Sequence, residues 1–432
     1  MWRWVMAQGR TVADRLATVL GTVLGSDRLP VRLRGWDGSL SGPAGAPVVA
    51  VRDRRALRRL LWSPGQLGLG RAYVSGDIDI EDDVFDTFAA LSSAGRLAET
   101  GPMRPLSGAE RLALLRTVAG LGGLGRDPEP PAEEADLGGH GLRHSRRRDA
   151  AAIAHHYDVG NDFYELVLGP SMVYSCAVWD SPDTGLDAAQ EAKLDLVCRK
   201  LGLTKGARLL DVGCGWGSMA IHAAGRYGAT VVGITISEEQ ATLARKRVAE
   251  AGLTDKVEIR VQDYREVADG PFDAISSIGM AEHVGRARLG DYVDQLVALL
   301  RPGGRLLNHA IAWNAGETGW DEDTFIARYV FPDGELLPLG TMVGAIEAGG
   351  LEVVDVEALR RHYALTLRAW VRNLEEHWDD AVAASTEGRA RVWRLYMAAC
   401  ALAFESGAMG VDQVLAVKPG GEQPPLRRTG WV

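Results

Sequence analysis

The sequence predicts an α/β fold: a Rossmann-like domain with a mostly parallel sheet and helices on both faces, preceded by a smaller N-terminal domain. Three observations predict it. Strand and helix signals alternate from Arg208 to Ala310, the pattern of a parallel sheet covered by helices. A glycine-rich turn, GCGWG at 213–217, separates the first of these strands from its helix. Residues 123–150, GLGRDPEPPAEEADLGGHGLRHSRRRDA, mix Pro, Gly, an acidic block and a basic block, and read as a linker. A chain of 432 residues exceeds one typical domain. The expected division is 1–122, linker 123–150, and 151–432.

Taken in order, Arg208–Val212 is a short strand and a helix opens near Ser218. Thr230–Ile234 is the second strand, followed by a helix over Glu238–Ala251. Val257–Val261 and Phe272–Ile278 are the next two strands. A helix ends near Leu300, and RPGG turns into a strand at Arg305–Ala310. Ligands of such sheets lie beyond the carboxyl ends of the strands, and GCGWG falls at such an end. Apolar positions within Leu365–Trp378 and Val392–Phe404 recur at helical spacing and read as core.

Composition narrows the function classes. Hydrophobic content of 46% and charged content of 24% suit an ordinary globular protein. No apolar run is long enough to span a membrane, and Arg10, Asp14 and Arg15 interrupt any signal-peptide core, so cytoplasmic residence is expected. Cys176, Cys198, Cys214 and Cys400 show no paired spacing and read as reduced thiols. His140 and His144 lack further ligand-type neighbours, so no metal is expected. A net charge of −9 argues against nucleic acid as a partner. Arginines nonetheless cluster at Arg52, Arg54, Arg55, Arg58 and Arg59, and at Arg143, Arg146, Arg147 and Arg148. They read either as solvated faces or as a phospholipid headgroup surface. With the amphipathic start (Trp2, Trp4, Val5 and Met6 beside Arg3 and Arg10), the second reading places the chain peripherally on the inner face of a membrane.

The glycine loop alone is weak evidence, since G-x-G also serves nicotinamide and flavin sites. Three details favour a methyltransferase cofactor. Gly213, Gly215 and Gly217 follow G-x-G-x-G, without the third position of the dinucleotide fingerprint. The second strand ends in Thr235, Ser237 and Gln240, with no acidic ribose ligand at its tip. The third ends in QDYR, whose Asp263 and Tyr264 are placed to bracket an adenine.

At this point the sequence resembles the cyclopropane-fatty-acyl-phospholipid synthase family, which includes mycolic acid cyclopropane synthases and enzymes making mid-chain methylene or methyl branches. The resemblance rests on HHYDVGNDFYELVLGPSMVYSCAVW (155–179), LLDVGCGWGSMA (209–220), GITISEEQ (233–240), QDYREV (262–267), SSIGMAEHVG (276–285), YVFPDGELLP (329–338) and RHYALTLRAW (361–370). GLGRAYVSGDIDI (68–80) extends it into the smaller domain, which takes a lipid-handling role by this likeness. The resemblance implies S-adenosylmethionine held by Tyr174, Ser175, Gly213, Gly215, Thr235, Gln240, Tyr264 and Ile278. It also implies a bicarbonate held by Cys176, Glu282, His309 and Tyr363, with the Ile311 backbone nearby. Two positions depart from the family pattern. Ala281 stands where a phenylalanine is usual, which is expected to reshape the acyl pocket, and Ser218 replaces a common glycine.

The implied reaction adds one carbon to the double bond of an unsaturated phospholipid acyl chain. Attack of the alkene on a sulfonium methyl leaves a carbocation, which then loses a proton. Loss from the new methyl closes a cyclopropane; loss after a hydride shift gives a methylene. Both need a dry pocket and a nearby base. Aromatic faces stabilise such a cation by ~0.5–2 kcal/mol each, and Tyr157, Phe163, Tyr174, Trp179 and Tyr363 are candidates. His155 and His156 read as structural. Two alternatives stand beside this: a small-molecule O- or N-methyltransferase, with a short polar pocket and no bicarbonate constellation, and a non-catalytic lipid-binding scaffold. A partner reductase and a homodimer stay open, as does the choice between cyclopropane and methylene.

Overall fold

The computed structural model describes residues 10–24, 29–93, 107–135, 160–313, 324–332, 334–427 and 431. Trp2 to Met6, His140, His144, the Arg143–Arg148 cluster and the segment carrying His155, His156 and Tyr157 lie outside the described residues. The chain divides into two compact units: Met1–Glu134 with Asp323–Phe325 and Thr386–Ala399, and the remainder. Positions 123–134, read as part of the linker, therefore fall within the first unit. There the Arg59 guanidinium donates to the Glu129 carbonyl at 2.8 Å, and Arg71 pairs with Glu134 at 2.6 Å. The polar composition that suggested a free linker is satisfied by cations of the unit itself.

The first unit carries β1 (Arg32–Arg34), β2 (Leu40–Ser41), β3 (Val48–Val51) and β4 (Ile78–Ile80) in the order β2-β1-β3-β4. Only β1 and β3 run parallel. Leu16, Val31, Leu33, Val51, Leu57 and Val118 fill its core. In the first arginine cluster only Arg59 is buried, while Arg52, Arg54 and Arg55 are exposed. Arg59 is buried against Asp77 at 2.9 Å, Arg55 reaches the same carboxylate at 3.1 Å, and Arg52 pairs with Asp79. Two carboxylates, both near β4, thus pair with three of the five cations read as a headgroup surface and leave the group with net positive charge.

The second unit is built on β5 (Arg208–Val212), β6 (Thr230–Thr235), β7 (Val257–Val261), β8 (Phe272–Ile278), β9 (Leu300–Trp313), β10 (Leu337–Pro338), β11 (Glu352–Ala358) and β12 (Met409–Val417). The order is β11-β12-β9-β8-β5-β6-β7, with β10 beside β9. From β7 to β9 the pairing is parallel; β12 and β11 are antiparallel. The expected α/β architecture is present, and the expected strands agree closely. β6 runs one residue further, to Thr235, and β9 is much longer, running from Leu300 to Trp313.

Apolar clusters cover both faces. One face packs Leu209, Val231 and Leu307 under helices Leu186–Leu201, Ser218–Tyr227 and Glu238–Glu250. The other packs Leu210, Leu306 and Val414 under helices Leu289–Leu299 and Leu339–Ala348. Because β5 is flanked by β6 on one side and β8 on the other, the chain reverses direction across the sheet there. A crevice opens beyond the carboxyl ends at such a point.

Candidate active site

That crevice is a cleft of about 1270 Å³, its open mouth included. The turn after β5 holds Gly213 at φ +74°, Gly215 at +53° and Gly217 at +83°, a left-handed run that favours glycine. A Cβ on Gly215 meets nothing within 4 Å, so it would point into the cleft; one on Gly217 meets the Ala244 side chain at 3.2 Å. Of the ten expected cofactor residues, Tyr174, Ser175, Gly213, Gly215, Thr235, Gln240, Asp263, Tyr264 and Ile278 line the cleft. Gly217 does not; it lets the following helix approach its neighbour.

Local structure explains the placement. Ser237 caps the helix Glu238–Glu250, its hydroxyl accepting from the Gln240 N–H at 3.2 Å. That cap turns Gln240 back toward β6, where the Thr235 hydroxyl donates to its Oε1 at 2.8 Å. Asp263, expected against an adenine, is gripped by the Arg265 side chain at 2.8 and 2.6 Å. The departure at Ser218 also acquires a role, since its hydroxyl donates to the Ser171 carbonyl at 2.6 Å and accepts from Arg247 at 3.0 Å. It fastens the loop helix to the segment leading to Tyr174.

A second polar centre lies on β9. The Ile311 N–H donates to Glu282 Oε1 at 2.8 Å. His309, two residues earlier, faces the same side of the strand as Ile278 and Gln413, its partners on β8 and β12. Gln413 Nε2 lies 3.3 Å from His309 Nδ1. Cys176 and Tyr363 meet at one carbonyl: Leu359 O accepts from the Cys176 thiol at 3.6 Å and from the Tyr363 N–H at 3.1 Å. The Leu359 N–H in turn donates to Val411, the cross-strand partner of Ile311. Hydrogen bonds therefore join the expected base-site residues in two pairs, Ile311 with Glu282 and Cys176 with Tyr363 through the Leu359 carbonyl, and His309 shares β9 with Ile311.

Burial sets the charges. Desolvation raises the Glu282 carboxyl to about 7 against a smaller opposing pull from the Ile311 N–H. Desolvation, with repulsion from Lys193 and Lys200, drops His309 to about 3, so its ring is neutral. With Gln413 donating to Nδ1, Nε2 carries the hydrogen. Burial pushes the Cys176 thiol far up, making it a structural donor and leaving its backbone for any ligand role. Glu282 Oε2 and His309 Nε2 are buried and find no hydrogen-bond partner among the described residues. An acceptor and a donor are thus held ready, out of water, which is costly unless something pairs with them.

Several residues here were not anticipated. Lys193 is buried in the cleft wall, lowered to about 8 by desolvation, and donates to the Ser175 hydroxyl at 3.0 Å. Asp211, also lining the cleft, is raised to about 6 by burial although the Ser276 hydroxyl donates to it at 2.7 Å. Trp370, read as core, stacks 5.3 Å from Tyr174 and 6.0 Å from Tyr363, bridging the cleft and the polar centre. The available signal was a polar residue within an apolar strand or helix, as in RLLDV. Among the other aromatic candidates, Phe163 is fully buried, and Trp179 donates its indole N–H to Thr366 at 3.0 Å. Ala281 does not border the cleft. It lines a separate cavity behind Glu282, so its small side chain shapes that cavity.

Comparison with known proteins decides the family. The profile described as mycolic acid cyclopropane synthetase matches residues 144–414. The chain belongs to this family. A probable fatty acid methyltransferase of Mycobacterium tuberculosis is 43% identical over 423 residues, spanning 96% of this chain and 98% of its own length. The tuberculostearic acid methyltransferase of the same organism is 33% identical over 428 residues, spanning 96% and 92%. Among solved structures, the mycolic acid cyclopropane synthase CmaA1 complexed with SAH and CTAB superposes with a TM-score of 0.59 at 34% identity. It covers 62% of this chain and 98% of its own. Family membership thus extends through the cleft and the polar centre alike.

Proposed function

We propose that this chain is an S-adenosylmethionine-dependent methyltransferase that adds one carbon to the cis double bond of an unsaturated phospholipid acyl chain, yielding a cyclopropane or a mid-chain methylene. The observation that carries the reading is the presence, in one unit, of a cofactor cleft and of a buried acceptor and donor, Glu282 Oε2 and His309 Nε2. A small-molecule methyltransferase needs no such second centre, and the relatives matched along nearly the whole chain carry fatty-acid names.

The cleft fits the cofactor: the left-handed glycine turn gives close backbone approach, and Thr235, Gln240 and the Tyr264 edge supply polar and aromatic walls. When bound there, S-adenosylmethionine supplies an electrophilic methyl on a sulfonium. Bicarbonate is the group we assign to the polar centre: His309 Nε2 is a buried donor and Glu282 Oε2 a buried acceptor, each without a partner among the described residues, and the resemblance adds Tyr363 and the Cys176 backbone to the set. Bound there, bicarbonate supplies a proton acceptor too small to disturb the acyl chain. Tyr174 lines the cleft and packs through Trp370 onto Tyr363, and a ring placed beside the acyl chain stabilises developing cationic charge. Glu282, oriented by the Ile311 N–H, fixes which oxygen receives the proton.

The first unit is proposed to handle lipid at the membrane surface. It exposes Leu61, Trp62, Leu69, Leu112, Leu115 and Leu124, with Trp62 at 57%. Trp62 anchors its indole N–H on the Gly125 carbonyl at 3.1 Å, leaving an amphipathic ring suited to an interface. No helix among the described residues is long and apolar enough to cross a membrane.

The test is turnover of methyl-labelled S-adenosylmethionine on vesicles of an oleoyl phospholipid, with acyl products separated by mass spectrometry. Chemical derivatisation of any remaining double bond distinguishes methylene from cyclopropane. Label in the acyl chain is expected, lost in carbonate-free buffer and regained with added bicarbonate. No label in lipid refutes the substrate; label independent of bicarbonate refutes the base.

A further inference from the structure

Behind Glu282, away from the His309 side of β9, lies a second, small cavity of about 20 Å³, room for roughly one ordered water. Its polar lining comes from Glu282, Asn308, Glu335 and Asp412, with Ala281 and Leu337 among the apolar members. Three features set it apart from ordinary packing. Asn308 is 2% exposed, yet both its Nδ2 and its Oδ1 find no partner among the described residues. Glu282 Oε2 is in the same condition. Asp412 sits 8% exposed on β12, its carboxyl raised to about 6 by desolvation alone. Buried amides and carboxyls are almost always paired, by protein or by water. A polar cavity offering two to four partners is where ordered water is held. No group of three or more metal-type ligands occurs among the described residues, so the lining suits water and protons.

The reaction proposed above creates a need for such a feature. Each turnover breaks a sulfur–carbon bond, forms a carbon–carbon bond, and returns the electron pair of a C–H bond to the acyl chain. One proton is released per carbon transferred. It is released in a pocket kept dry to protect the cation, so it has no direct route to solvent. We propose that the cavity lined by Glu282, Asn308 and Asp412 is the proton exit of this enzyme, with Asp412 as the relay carboxylate between Glu282 and bulk water. This rests on the reading of Glu282 as part of the base site.

The geometry supports the assignment. Strand alternation puts Asn308 and Asp412 on one face of the sheet, with Val414 and Ala310 as their respective cross-strand partners, while His309 and Gln413 point to the other. Glu282 reaches between the two: Oε1 is fixed by Ile311, and Oε2 is unpaired. The carboxyls of Glu282 and Asp412, at about 7 and about 6, have proton affinities close enough that neither traps the proton. Glu335 stands at the same cavity, its N–H donating to the Glu282 carbonyl at 2.9 Å and its carboxylate accepting from the Arg286 N–H at 3.0 Å. Ala281 leaves this space open. A phenylalanine there would fill it.

The experiment is steady-state turnover of Asp412→Asn on oleoyl phospholipid vesicles, beside wild type and Glu282→Gln, with homocysteine-product affinity measured by calorimetry. Asp412→Asn is expected to lower kcat by ~10²-fold, the lower end of what a positioned proton transfer contributes. Affinity for S-adenosylhomocysteine should be unchanged, the solvent deuterium isotope effect should rise, and added imidazole or formate should restore turnover. Asp412→Glu should retain most of it. Wild-type turnover and isotope effect in Asp412→Asn would overturn the relay, as would a loss that no small proton carrier relieves. If Glu282→Gln is fully active, the base reading itself has failed. If Glu282→Gln is inactive while Asp412→Asn is normal, only the relay falls.

Discussion

Replacing Glu282 by Gln separates function from stability, because the two respond in opposite directions. The carboxyl is fully buried and raised from 4.5 to about 7, chiefly by desolvation. A folded-state value above the unfolded one means that the native state resists ionisation. Below pH 4.5 the group is protonated in both states and costs nothing. As pH rises from 4.5 to 7 the unfolded chain ionises first, and native stability is lost across that window. Above pH 7 the loss is complete, and at 1.36 kcal/mol per pH unit it amounts to about 3 kcal/mol. Glutamine cannot ionise, and its Oε1 can still accept from the Ile311 N–H. The variant should therefore match wild type near pH 4.5 and exceed it by up to about 3 kcal/mol at pH 8. An amide N–H left unpaired in the cavity would subtract ~1–3 kcal/mol at every pH without changing the slope. Asp211 and Asp412 titrate in the same direction, so the difference between variant and wild type isolates Glu282. Turnover should fall meanwhile by ~10²–10³-fold, as when one preorganised partner of a developing charge is removed. Urea unfolding from pH 4.5 to 8, with the transition of the second unit followed by its own tryptophan signal, reads the stability term. Parallel pH slopes for the two proteins, or wild-type turnover in the variant, would refute the reasoning.

Two further perturbations test separate parts of the molecule. Gly215→Leu should abolish cofactor binding while costing only ~1–2 kcal/mol of stability for a left-handed non-glycine residue, since its side chain enters the open cleft. Gly217→Leu, which collides with Ala244, should instead destabilise the fold; calorimetry with S-adenosylhomocysteine and thermal melts separate the two outcomes, and undiminished affinity in Gly215→Leu would remove the loop from the site. Trp62→Asp should weaken binding and turnover on anionic vesicles, with cofactor affinity intact; equal vesicle binding by sedimentation would take Trp62 out of the lipid-facing surface.

Much of the second unit was legible because its strands are short apolar runs set between helical repeats, and because glycine is so poorly replaced in a left-handed turn. Gly213 and Gly215 announced the cleft for that reason. Glu282, His309, Ile311, Cys176 and Tyr363 were reached through resemblance, and the structure adds hydrogen bonds that tie Ile311 to Glu282 and, through the Leu359 carbonyl, Cys176 to Tyr363. What local patterns hid was pairing at a distance. Nothing near Arg52, Arg55 and Arg59 in the chain tells that Asp77 and Asp79 will pair with them. Trp370 at helical spacing is indistinguishable from core until Tyr174 and Tyr363 are found on either side of it. Asn308 and Asp412 belong to strands more than a hundred residues apart, and only the antiparallel pairing of β9 with β12 brings them to one cavity. In each case the missing information was tertiary, and only for Asn308 and Asp412 was a polar residue inside an apolar run the trace it left.

The pleat of β9 explains how one short segment serves two incompatible needs. An acyl cation needs an environment without water, whereas the proton it sheds needs water to leave. Consecutive side chains of a strand point to opposite faces, so Asn308 and His309 are adjacent in sequence and separated by the sheet. His309 faces the helix carrying Lys193 and Lys200 and is held neutral by burial, with their charges adding to the effect; Asn308 faces the cavity with Asp412. Neither side chain can cross. The connection must come from a residue anchored at the strand's end, and Glu282, on the turn of helix after β8, is fastened there by the Ile311 N–H. A slip of one residue in the pairing of β9 would exchange the two faces, placing the amide against the acyl path and the imidazole in the wet cavity. The long, uninterrupted register between β9 and β12, from Met409↔Trp313 to Val417↔Arg305, is what forbids that slip. The antiparallel extension of an otherwise parallel sheet is therefore part of the chemistry: it locks the strand whose two faces keep the cation dry and the proton mobile.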